Sequence, residues 1–133
     1  MTTAADITVK KADGTTDIIW SLLAGSGGDN APAVWRSGTA AGTVGQKPTF
    51  QVLTKDNGNK TARRIEFSGK FPSVYTNTST GQTEVRAVIP FSASFAVPTN
   101  VAQVDMNEAA AQLLNLLSSV LAKSAVSTGY APA

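Results

Sequence analysis

KPTFQVLTKDNGNKTARRIEFSGK, residues 47–70, holds two arms of alternating polarity on either side of Asp56-Asn57-Gly58-Asn59. A strand turns successive side chains to opposite faces, so residues two apart share a face. In the first arm Phe50 and Val52 point one way, and Thr49, Gln51, Leu53 and Lys55 the other. In the second arm Ile65, Phe67 and Phe71 share a face opposite Lys60, Arg64, Glu66, Ser68 and Lys70. Asn-Gly supplies the positive φ angles of a tight turn, which predicts an antiparallel hairpin. One face of it is buried and the other is wet and unusually cationic. Arg63 alternates onto the apolar side, which leaves two readings open: a place under a helix, or a shift of register.

Working outward toward the N-terminus, Ile7 and Val9 alternate with Thr8 and Lys10, and Asp13-Gly14 leads into Asp17-Ile18-Ile19-Trp20-Ser21-Leu22. Asp-Gly between two such runs predicts a second hairpin. Trp20 reads as a packing residue. Ala24 to Pro32 is rich in turn formers, Ala33 to Ser37 is a short strand candidate, and Ser37 to Gln46 reads as a surface loop.

Toward the C-terminus, Phe71-Pro72 is expected to end the central hairpin, because proline cannot donate to a ladder. Ser73 to Thr83 is polar, lacks a period and reads as a long exposed loop, a kind that is usually functional or mobile. From Glu84 to Phe95 alternation returns. Val85, Ala87, Ile89, Phe91, Ala93 and Phe95 face one way, and Pro90 makes this either an edge strand or an edge where pairing changes.

Asp105-Met106-Asn107-Glu108 has the spacing of a capping box. Beyond it Met106, Ala110, Leu113, Leu117, Val120 and Leu121 recur at three and four residues, predicting an amphipathic helix from about Asp105 to about Ala125. Ser118-Ser119 is a point where it can break in two. Leu114 and Leu116 widen the apolar face beyond what one small sheet covers, which favours a partner subunit.

The 133 residues fit a single domain, 1–133, with a net charge of only +2, so any affinity for nucleic acid must come from local placement of Lys and Arg. The chain has neither Cys nor His. That removes disulfides, thiolate metal sites, and the commonest general base and zinc ligand. Gly25-Ser26-Gly27-Gly28 lacks the Lys of a P-loop, and no carboxylate spacing suggests a hydrolase, so no enzyme is expected. No apolar run has the length of a membrane span or of a signal peptide's core, so a soluble protein with no membrane partner is expected. Asp29, Asp56 and Glu84 are oxygen donors without EF-hand spacing; no cofactor is expected, with Ca²⁺ between subunits left open.

The order of these elements resembles the coat proteins of single-stranded RNA bacteriophages of the levivirus type. Four pieces carry the resemblance. Asn30-Ala31-Pro32-Ala33-Val34-Trp35 is similar to that family's Asn-Gly-Val-Ala-Glu-Trp segment, and Asn59-Lys60-Thr61-Ala62-Arg63-Arg64-Ile65-Glu66 to its basic strand. Ser94-Phe95 before Thr99-Asn100 resembles the end of its last strand, and Ser127-Thr128-Gly129-Tyr130 its aromatic tail. The resemblance spans nearly the whole chain in element order, though no single motif is specific.

That resemblance implies an α+β fold: an N-terminal β-hairpin plus a five-stranded antiparallel sheet with C-terminal helices, completed as an intertwined homodimer. It implies a virion protein, assembled in the cytoplasm of a bacterial host into a T=3 icosahedral shell. The inward sheet face meets single-stranded genomic RNA, and a dimer binds an RNA hairpin that represses the replicase. No small-molecule substrate is implied. Carried over strand by strand, the RNA contacts are Thr49, Gln51, Leu53 and Lys55, then Lys60, Ala62, Arg64 and Glu66, then Arg86 and Val88. Arg64 and Thr49 match positions that hold an unpaired adenine. Leu53 stands where one well-known member has Arg, Val88 where the family has a base-stacking Tyr, and Pro90 where it has Asn or Asp. Loss of the aromatic removes a stack worth about 1–3 kcal/mol per base. Ser73–Thr83 corresponds to the loop around the shell's symmetry axes. Two further readings remain, a standalone single-stranded RNA-binding module and a phage tail-tube or fibre subunit.

Overall fold

A computed structural model describes residues 2–38, 42–56 and 58–133. It divides into a sheet unit ending at Ala96 and a helical unit beginning at Val97. The strands are β1 (Ile7–Lys10), β2 (Asp17–Ala24), β3 (Ala33–Ser37), β4 (Thr49–Asp56), β5 (Ala62–Thr76) and β6 (Thr83–Pro98). They form one six-stranded sheet in the order β1-β2-β3-β4-β5-β6. The N-terminal hairpin is therefore part of the main sheet: β2 pairs with β3 as well as with β1, through Trp20↔Ser37 and Leu22↔Trp35.

The alternation read in residues 47–70 is the alternation found. Phe50 lies opposite Gly69 and Val52 opposite Phe67 on one face, while Thr49↔Lys70, Gln51↔Ser68, Leu53↔Glu66 and Lys55↔Arg64 occupy the other. On the apolar face the rings of Trp35 and Phe50 are 5.7 Å apart, those of Phe50 and Phe67 6.1 Å, and those of Phe67 and Phe95 5.8 Å. This ladder crosses four strands, and each such pair is worth about 0.5–1.5 kcal/mol beyond its buried area. Trp35 is only 7% exposed, and its Nε1 donates to the Ala5 carbonyl over 2.8 Å, which ties the N-terminal segment to β3.

At the first hairpin Gly14 takes φ 75° and the Asp13 carboxylate accepts from the amides of Thr15 and Thr16, as the Asp-Gly signal predicts. At the central hairpin the register runs as far as Asp56↔Arg63 among the described residues, and β5 begins at Ala62. Lys60 is left-handed there, with φ 53°; Asn57, and with it the expected Asn-Gly turn, lies outside the described residues. Residues 39–41 of the expected surface loop are likewise outside, and Val44–Gln46 forms one 3-10 turn.

Two further expectations are corrected. Phe71-Pro72 does not end the hairpin; β5 runs on to Thr76. β4 pairs β5 only as far as Thr49↔Lys70, so Pro72 lies past the end of β4 and its missing amide costs no bond on that side. The loop read over Ser73–Thr83 accordingly shrinks to residues 77–82. It closes on itself, the Asn77 amide donating to the Gln82 carbonyl over 2.8 Å and the Gly81 amide to the Asn77 carbonyl over 2.7 Å. Pro90 lies in β6, which is the last strand of the sheet, as an edge assignment requires.

The helical unit holds α1 (Gln103–Leu117) and α2 (Val120–Thr128), bent by 46° at Ser118-Ser119. The Ser119 hydroxyl accepts from the Ala122 amide and starts α2 as its N-cap, and Gly129 ends it at φ 81°. The capping box at Asp105 is not formed. α1 begins earlier, after Ala102, and Asp105 sits inside the first turn, where its charge suits the positive helix end. Glu108 accepts from Gln112 one turn on instead of reaching back.

Candidate nucleic-acid interface

The polar face of β3, β4 and β5 is built of register rows. Arg36 stands beside Thr49, and Thr49 beside Lys70. Val34, Gln51 and Ser68 form the next row, followed by the pairs Leu53–Glu66 and Lys55–Arg64. Of the residues expected from the sequence, Thr49, Gln51, Lys55, Arg64 and Glu66 are brought onto this one face. Lys60 lies at the end of it, in the turn. Arg86 and Val88 are on β6, a strand beyond β5.

Charge on this face is locally balanced at one end. Glu66 sits 3.0 Å from the Lys55 ammonium and 3.9 Å from the Arg64 guanidinium. These are surface pairs, worth about 0–1 kcal/mol each, but they lower the field that an approaching anion meets there. Arg63 is held away from the polar face. Its guanidinium bridges Asp56, over 2.9 Å, and Asp29. Of the two readings left open at Arg63, a shift of register is excluded: the residue lies opposite Asp56, and its second partner comes from the loop before β3. Lys10 pairs with Asp17 at 2.5 Å. Arg36 and Lys70, in contrast, have no carboxylate partner among the described residues. The sequence reading set Lys70 among the cations of this face without assigning it a contact, and it missed Arg36. The alternation of buried Ala33, Trp35 and Ser37 was the available signal, since it turns Arg36 to the opposite side.

On β6 the Arg86 guanidinium lies 4.8 Å above the ring of Tyr75. The Tyr75 hydroxyl donates to Glu84 over 2.8 Å, and that hydrogen bond to a carboxylate raises the Tyr75 pKa above its ordinary value. Phe67 meets Phe95 farther along the same two strands. Val88 is exposed. The oxygen donors Asp29 and Asp56 do converge, but on Arg63, while Glu84 accepts from Tyr75 and Asn77.

The architecture defines a class: an α+β chain in which a six-stranded antiparallel meander precedes two C-terminal helices. It is the coat-protein fold of levi-like phages. The chain matches the virus-like particle of Beihai levi-like virus 21 with a TM-score of 0.80 at 14% identity, over 99% of both chains. It matches the virus-like particle of bacteriophage NT-214 with a TM-score of 0.78 at 16% identity, over 99% of this chain and 100% of the other. For the bacteriophage GA capsid protein the TM-score is 0.72 at 16% identity, over 95% of each chain. No protein-family model and no curated protein matches the sequence. At such identities the likeness is one of fold, not of individual contact residues.

Proposed function

We propose that this chain is the coat protein of a single-stranded RNA phage, a virion component that dimerises and assembles into a closed icosahedral T=3 shell around RNA. The observation that carries the reading is the end-to-end match of fold to proteins solved as virus-like particles. Fold alone does not fix function, and two features of this chain add support. α1 and α2 contain no buried residue, and Leu116, Leu117, Val120, Leu121 and Val126 are all more than half exposed. β6, sixteen residues long, ends the sheet with Val88, Ile89 and Phe91 exposed. A long apolar edge and uncovered aliphatic helices are each an aggregation hazard unless a second copy covers them. A two-fold dimer supplies that cover with one self-complementary surface.

The polar face of β3–β5 is then the inward one, contacting RNA through Thr49, Gln51, Lys55, Lys60, Arg64 and Glu66, with Arg86 and Val88 flanking on β6. Assembly takes place in the host cytoplasm. The test is expression of the chain alone, followed by light scattering and negative-stain microscopy with and without RNase. Uniform closed particles holding RNA are expected. A small soluble species would favour a standalone RNA-binding module, and tubes would favour a tail-tube subunit; either result overturns the coat reading.

A further inference from the structure

We infer that the row Arg36–Thr49–Lys70 is a phosphate-binding subsite for the backbone of single-stranded RNA. The inference rests on the coat-protein reading above and assigns the strongest anion contact to a different part of the same face. Three observations carry it.

First, the row is contiguous. Arg36 pairs in register with Thr49 and Thr49 with Lys70, across β3, β4 and β5. Strands lie about 4.8 Å apart, so the two cations start about 10 Å from each other with a hydroxyl between them. Both side chains are long enough to converge on one phosphate above Thr49. Ser21, in register with Arg36 on β2, adds a second hydroxyl at the end of the row.

Second, these charges are uncompensated. Glu66 engages Lys55 and Arg64, Asp29 and Asp56 engage Arg63, and Asp17 engages Lys10. Neither Arg36 nor Lys70 has such a partner among the described residues. Glu66 is four residues along β5 from Lys70, about 13 Å by strand rise, which exceeds the roughly 8 Å screening length at physiological salt.

Third, Arg36 is half-buried, between the buried Trp35 and Ser37. Its planar guanidinium fork matches two phosphate oxygens, which suits Arg to holding a backbone phosphate. The row offers no aromatic ring for a base, so it recognises backbone rather than sequence.

The experiment measures binding of a fluorescein-labelled oligouridylate, across a salt series, to subunits released from the particles by mild acid, freed of RNA and returned to neutral pH at a concentration too low for reassembly. The variants are Arg36→Gln/Lys70→Gln and, as a charge-matched control, Lys11→Gln/Lys123→Gln. Circular dichroism and particle formation confirm that each variant is folded. The first variant is expected to bind roughly tenfold weaker or worse at low salt, and its log–log salt slope to flatten by about 1.4, two contacts at about 0.7 each for single strands. The control is expected to keep both. If the native protein binds in a salt-dependent way and the Arg36/Lys70 variant matches it, the row is merely solvated and the RNA-binding reading stands. If the native protein does not bind, that reading and this inference fall together.

Discussion

Arg63 and Asp29 form an ion pair across 34 positions of sequence, fastening the loop before β3 to the start of β5. In the same place the Asn30 amide donates to the Thr54 carbonyl over 2.8 Å, and Asn30 takes a left-handed φ of 65°. Replacing Arg63 by Met should free this loop without unfolding the sheet. Hydrogen exchange is the measurement: the Asn30 amide should exchange faster while the amides of the β4–β5 ladder keep their protection. Unchanged exchange at Asn30 would show that the ion pair does not hold the loop.

Gly69 is fixed by crowding, not by φ. A Cβ there would lie 2.6 Å from the Thr49 carbonyl oxygen and 3.4 Å from the Phe50 Cα. Gly69→Ala forces β4 and β5 apart under the aromatic ladder, and should destabilise the protein by about 1–3 kcal/mol in urea unfolding. A variant of native stability would mean that the strands separate there at no cost.

At the first hairpin, hydrogen bonds from the Thr16 side chain and from the Thr16 and Thr15 amides hold the Asp13 carboxyl at about 2, below its ordinary 3.8. A depressed carboxylate stabilises the folded turn fully above its unfolded pKa. That contribution disappears as pH falls through the folded value. An NMR titration of Asp13 should therefore find its midpoint near pH 2, with the hairpin loosening between about pH 4 and 2. A midpoint near the ordinary value would remove the proposed anchoring.

Tyr75 shifts the other way, held protonated by its hydrogen bond to Glu84. A raised pKa means that this contact contributes fully below the ordinary tyrosine value and is lost as pH rises through the higher folded one. With Tyr130→Phe leaving a single phenol, ultraviolet titration should show ionisation above pH 10, and Glu84→Gln should bring it down. No change on Glu84→Gln would mean that the carboxylate does not control the phenol.

The sheet was legible because its pattern is local. The in-and-out order of Thr49 to Lys55 and of Arg64 to Lys70 follows from a period of two, and pairing by β4–β5 register kept it intact. The break at Ser118-Ser119 was visible as two capping residues inside an apolar repeat. What escaped depended on distant neighbours. Pro72 looked like a terminus because nothing in the sequence says that β4 has already ended beside it. The capping box at Asp105 failed because a helix also starts from a backbone bend, here at Ala102, with the carboxylate inside its first turn. The partner of Arg63 lies in a loop that local reading places elsewhere, and the row Arg36–Thr49–Lys70 exists only once three strands are in register.

Every strand of the sheet lies beside its neighbour in the sequence. No crossover has to wait for a distant segment, so contact order is low for an all-antiparallel sheet and the entropic cost of closing each loop stays small. Such a chain is able to zip up hairpin by hairpin while it leaves the ribosome, with the long β6 edge and the apolar helices following the other strands. The exposed apolar residues of β6 and of the helices then appear only after the other strands have paired.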